Sequence, residues 1–162
     1  MSAVHLEERF EEAIDEWLTS HGGWAKGSKA NYDPELGIDR VTMLAFVRET
    51  QPAAWAKLVK KHGGEARAED RFVKRVVEEV DRRGTLDVLR HGVRDLGEDV
   101  KLVYFKPTSG ITPQLLERYG KNRLTVVRQL AYSSKTPDEL DLAFFVNGIP
   151  TPDAELQNSL TG

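Results

Sequence analysis

Apolar side chains return every three or four residues along the first half of the chain, then alternate or run together beyond residue 100. That change of period predicts helices first and strands later. Leu6, Phe10, Ala13, Ile14, Trp17 and Leu18 recur at helical spacing until His21-Gly22-Gly23 ends the run, so they mark the buried side of an amphipathic first helix. Its acidic face includes Glu8, Glu12 and Asp15; Glu7 and Glu11 lie nearer the apolar edge, with Glu7 read as a charged rim. Residues 24–39 are rich in Gly, Asn, Asp and Pro and read as a loop with at most a short strand. Three more helical patterns follow: Val41 to Val47, the turn opened by Pro52 with Trp55, Leu58 and Val59 inward, and Phe72, Val73, Val76, Val77 and Val80. Thr85 then starts a short helix, TLDVLRHG.

From Val100 the reading changes. Val100 to Phe105 predicts a strand, Thr112-Pro113 a short helix through Tyr119, and Leu124 to Tyr132 a second strand. Leu140 to Gln157 is the clearest stretch. Two apolar runs flank Asn147-Gly148, the dipeptide suited to a type I′ hairpin turn, and the first run is apolar enough to be covered on both faces. This gives about four strands after the helices, an α+β chain by the layer argument. It is expected to form a single domain over 1–162, helical over 1–92 and sheet-forming over 93–162.

Asp141 opens the first strand of that hairpin, Glu155 closes the second, and Gln157 follows two places on. Carboxylates on neighbouring strands suit Mg²⁺ beside a phosphodiester, because hard oxygen donors hold that cation and leave positions open for water and phosphate. Pairing Val146 with Ile149 sets Asp141 opposite Ala154, however, so Asp141 and Glu155 face opposite sides. One extra residue repairs this, and Pro150 and Pro152 favour it, so a bulge or widened turn is expected between Ile149 and Asp153. The competing reading is a plain hairpin whose acidic ends are solvated.

Composition narrows the field. The 162 residues are 40% hydrophobic and 30% charged, ordinary for a folded domain. Without cysteine there is no disulfide, zinc-thiolate site or thiol catalysis, and no G-x-x-x-x-G-K-[ST] is present for nucleoside triphosphate. No run reaches membrane-spanning length, and the acidic N-terminus lacks a signal core, which points to the cytoplasm and away from membranes. His5, His21, His62 and His91 are scattered, three of them just before glycine, so none is assigned to chemistry. The net charge of −3 hides a contrast: residues 1–50 balance at −5, whereas 101–135 balance at +6. A cationic segment inside an acidic chain is compatible with a phosphate-backbone surface, against the alternative of solvated surface charge.

Five blocks, YDPELGID, FVRETQPAAW, RRGTLDVLRHGV, YFKPTSGITPQLLERYGKNRLTVVRQLAYS and LDLAFFVNGIPTPDAELQNSLTG, carry a family resemblance. The chain resembles the N-terminal nuclease region of the restriction (R) subunit of type I restriction–modification enzymes, over nearly its whole length. The resemblance implies a PD-(D/E)xK nuclease-like mixed sheet of about four strands flanked by helices. It implies an Mg²⁺-dependent endonuclease acting on double-stranded DNA beside methylase (M) and specificity (S) subunits, with Arg118, Lys121, Arg123 and Arg128 as contacts to the DNA backbone rather than plain surface charges. Asp141 and Glu155, with thirteen residues between them, match the motif acids. Both would be Mg²⁺ ligands, with the Leu156 carbonyl as a third and Glu11 as the family's helix glutamate. Gln157 stands where the family has lysine, and Lys106 or Arg128 is a candidate to replace that charge. In the family LTG is followed by a Gln-x-x-x-Tyr motif and an ATP-dependent translocase; this sequence stops at Gly162, so the fold is expected to be C-terminally truncated and ATP to enter only through the missing part. The alternative is a catalytically silent module that docks or grips DNA because Gln157 has disabled the site.

Overall fold

The computed structural model describes residues 3–109 and 112–151. The chain opens with α1 (Ala3–Ser20), then β1 (Ala25–Lys26), a 3₁₀ turn at Lys29–Asn31, β2 (Tyr32–Asp33) and β3 (Ile38–Asp39). Four helices follow, α2 (Arg40–Thr50), α3 (Pro52–His62), α4 (Glu65–Arg83) and α5 (Thr85–His91). The last part holds β4 (Val93–Asp95), β5 (Glu98–Val100), α6 (Pro113–Gly120), β6 (Leu124–Ala131), β7 (Glu139–Val146) and β8 (Ile149–Pro150).

Local chemistry explains these boundaries. Asp39 caps α2, accepting from the Thr42 amide at 3.0 Å and the Thr42 hydroxyl at 2.6 Å. Pro52 occupies the first turn of α3, and Gly63, at φ 81°, ends it in the left-handed conformation. Met43, Phe46, Val47, Leu58, Phe72, Val73, Val76 and Val88 are fully buried, so α2 to α5 share one core, which also takes in Leu102, Tyr104 and Ile149. His62 ends α3 against the Asp95 carboxylate at 2.7 Å, a structural contact.

The main sheet is mixed, in the order β1-β6-β7-β8, with β1 parallel to β6 and the other pairs antiparallel. An α+β arrangement of six helices and a four-stranded mixed sheet is therefore observed among the described residues. Its membership differs from expectation. The edge strand β1 comes from the Gly-rich loop of the N-terminal half, while Val100 to Phe105 adds no strand to the sheet. Only Val100 pairs, in the separate β4–β5 ladder. The next residues form no ladder, and their hydrogen bonds go to side-chain amides. Gln51 closes on both the N–H and the carbonyl of Lys101 at 2.8 Å each. Asn147 donates to the Leu102 carbonyl at 2.9 Å, and Asn122 grips the Tyr104 N–H at 3.1 Å and its carbonyl at 2.6 Å. A strand-like sequence thus satisfies its backbone without a neighbouring strand.

The first helix also turns differently from expectation. Leu6, Phe10 and Trp17 are 47%, 58% and 60% exposed, whereas Glu11 and Asp15 are 3% and 4% exposed. Asp15, expected on the solvent face, pairs with Lys26 of β1 at 3.2 Å. Cations on the sheet draw the acidic side of α1 inward.

Candidate functional site

The hairpin formed by β7 and β8 is the best-specified local structure. Asn147 and Gly148 adopt φ of 49° and 79°, the type I′ pattern, and Val146 pairs with Ile149 as the turn requires. Glycine is obligatory at 148, because a Cβ there would sit 2.1 Å from the Asp39 carbonyl oxygen at the start of α2. Asn147 is fully buried, and its side-chain oxygen accepts from the Arg123 N–H at 2.6 Å. The same register continues to Thr151, whose N–H donates to the Phe144 carbonyl at 2.9 Å. The expected bulge is therefore not found between Ile149 and Thr151; Pro152 and Asp153 lie outside the described residues, as do Glu155, Leu156 and Gln157.

The irregularity appears instead on β6, directly across from Asp141. Arg128 pairs with Leu142 and Leu130 with Leu140, so no residue is inserted. Gln129 between them nevertheless has φ 48°, a left-handed conformation unusual for a side chain of its size. As a result Val127 and Leu130, three residues apart, enter one apolar cluster with Ala143 and Phe145, which a strict period of 2 forbids.

Around this twist the helix and the sheet bring charges together. The Gln129 amide reaches Glu11 at 3.4 Å, and Arg128 lies 3.7 Å from the same carboxylate while donating to the Glu8 carbonyl at 3.3 Å. The buried Arg128 Nε–H has no hydrogen-bond partner among the described residues. The Glu11 carboxyl is held above the ordinary range, first by burial and next by the negative charge of Asp141, with Glu7 adding; Arg128 and Gln129 pull the other way. Glu11 and Asp141, from near opposite ends of the chain, are thus electrostatic neighbours. A shallow cleft of about 410 Å³ beside them is lined by His5, Glu8, Arg9, Glu12, Arg128 and Gln129. Among the described residues no group of three or more acids or histidines is gathered as a metal site.

The cationic candidates do not converge. Lys121 and Arg123 both pair with Glu49, at 2.9 and 2.6 Å, and Lys121 above all holds that carboxyl below the ordinary range. Arg118 lies over the Tyr104 ring at 5.8 Å. Only Arg128 adjoins the acidic pair, and Lys106 lines a groove with Tyr104 and Leu124 at the other end of β6. At about 3.3 Å per strand residue, Arg123 and Arg128 are separated by roughly 16 Å. Gln129 is not legible in the sequence: nothing in a glutamine within a strand-like run signals a left-handed backbone.

A family model for the type I restriction enzyme R protein N terminus matches residues 5–161. No curated protein and no solved structure gives a significant match. Among the described residues no helix is long and apolar enough to cross a membrane.

Proposed function

We propose that this chain, which belongs to the family of type I restriction enzyme R protein N termini, is an Mg²⁺-dependent module for cutting double-stranded DNA. The observation that carries the reading is the coupling of Glu11, 3% exposed, to Asp141 across the α1–sheet boundary. A buried carboxylate whose ionisation is opposed by burial and by a neighbouring carboxylate's charge is a donor that a hard divalent cation relieves. Asp141 and Glu11 would hold Mg²⁺ with Glu155 and the Leu156 carbonyl. Once bound, the ion would neutralise charge on the phosphate and supply an acidified water.

The chain's own residues have the remaining tasks. Arg128 offers beside the acids an Nε–H with no partner among the described residues, suited to a phosphate oxygen or to the water. Gln157 would hydrogen-bond the water but bring no positive charge. Phosphate contacts carry no base information, so the module would cut without reading sequence, and site choice would fall to the specificity subunit beside the methylase.

Nicking of supercoiled plasmid in Mg²⁺ tests the proposal, with wild type run beside Asp141→Ala and Glu155→Ala. Nicking by wild type and by neither variant is expected. Equal nicking by all three would reject the site. The lysine-to-glutamine departure at 157 favours a second reading, a silent docking or DNA-gripping module. No nicking by wild type together with cleavage by Gln157→Lys would establish it.

A further inference from the structure

At the end of β6 remote from Asp141, a groove of about 590 Å³ opens between α5, the 103–106 segment, α6 and the start of β6. Three side chains give it an unusual character for a surface: Leu86, Phe105 and Tyr119 line it at 59%, 60% and 41% exposure. Its wall is Tyr104, 7% exposed, whose ring packs on Phe46 and whose backbone is clamped by Asn122. The floor is therefore rigid and the apolar rings stand at the rim. Exposed rings on a fixed wall cost solvation unless something stacks on them.

The charge gathered at its Tyr104 wall says what that is. Lys101 and Arg118 lie over the Tyr104 ring at 5.9 and 5.8 Å, and Lys106 lines the groove. Among the described residues none of the three has a carboxylate partner, whereas Lys121, close by, is neutralised by Glu49. An apolar peptide would bury these cations uncompensated, and a duplex would use them but leave the rings idle, since its bases stack on each other. A strand with unpaired bases uses both.

We propose that this groove binds single-stranded DNA, with bases stacking on Phe105 and Tyr119 and phosphates meeting Lys106, Arg118 and Lys101. The choice of DNA as the polymer rests on the family; the choice of an unpaired strand rests on the rings and cations. It would hold a strand away from the acidic pair, as a second contact on the same molecule.

Fluorescence anisotropy with a labelled oligo(dT) of about 12 nucleotides, near the upper site size for a compact domain, tests this in EDTA, where no bond is cut. Phe105→Ala and Tyr119→Ala should each weaken oligo(dT) binding about 5- to 150-fold, the range expected for one stacked base. Tyr119→Phe should retain affinity, an abasic strand should bind like the alanine variants, and a duplex of equal length should be unaffected by them. Both rings are exposed, so thermal melts should confirm that the variants fold. Undiminished binding in both alanine variants, equal binding of the abasic strand, or no oligo(dT) binding by wild type overturns the proposal and leaves the rings to a protein partner. Because the readout needs no cleavage, its failure is distinct from failure of the nuclease reading.

Discussion

Replacing Asn147 tests whether one buried amide ties the hairpin to the rest of the fold. Its side chain is fully buried and makes three hydrogen bonds, from Nδ2 to the Leu102 carbonyl at 2.9 Å and Asn122 Oδ1 at 3.0 Å, and to Oδ1 from the Arg123 N–H at 2.6 Å. Asn147→Gly keeps the left-handed turn but strips the Leu102 carbonyl and the Arg123 amide of these partners. An orphaned buried group costs about 1–3 kcal/mol, so the variant should lose roughly 2–6 kcal/mol. Against a total of about 5–15 kcal/mol this is a large fraction. Asn147→Ala should lose about 1 kcal/mol more, because alanine must hold φ 49°. Urea denaturation followed by circular dichroism, with the m-value checked for constancy, measures both. Hydrogen exchange at the Arg123 amide should quicken in step. An Asn147→Gly variant within about 0.5 kcal/mol of wild type would show that the three bonds are not holding the segment, and the reasoning would fail.

Three further outcomes follow from the same geometry. Since the folded-state pKa of Glu11 lies above its ordinary 4.5, the folded chain binds that proton more readily than the unfolded one, and this group's contribution improves as pH falls toward 4.5 and worsens as pH rises. In EDTA, Glu11→Gln should therefore melt higher than wild type at about pH 7.5, with the gap narrowing as pH falls toward 4.5, and Mg²⁺ should raise the melting temperature of wild type but not of the variant. Gly148→Ala, at φ 79° and with its Cβ 2.1 Å from the Asp39 oxygen and 2.8 Å from the Met43 nitrogen, should cost about 2–4 kcal/mol by chemical denaturation. Glu49→Gln frees Lys121 and Arg123, so duplex DNA should bind more tightly with a salt slope steeper by about 1–2, measured by anisotropy across a salt series.

The hairpin was legible because Asn-Gly between apolar runs has essentially one solution, and the structure adopts it. Helices α2 to α5 were legible for a similar reason: periodic apolar residues bounded by Pro52, Gly63, Gly84 and their caps leave little choice. Residues 101–105 were misread because β-branched and aromatic composition reports a preference for strand, not what bonds to the backbone; Gln51, Asn122 and Asn147 are each remote in sequence. The outward turn of Leu6, Phe10 and Trp17 was hidden for another reason. A helix with apolar and acidic stripes can bury either, and Lys26 and Arg128, which decide it, lie on the sheet.

That choice of stripe bears on function. Burying Leu6, Phe10 and Trp17 would stabilise α1 by the ordinary hydrophobic route. Instead the helix turns Glu11 and Asp15 inward, and Gln129 takes a conformation that costs about 1–3 kcal/mol at a non-glycine residue. Each feature is unfavourable for a scaffold alone, and two of them, Glu11 and Gln129, meet beside Asp141, where the Gln129 amide turns toward Glu11 and the Asp141 charge helps hold the Glu11 carboxyl above its ordinary range. Strain and like charge concentrated at one point, on a sheet whose other end is braced by Asn147 and Asn122, is the distribution expected when the rigid part of a fold supports a site shaped for a ligand.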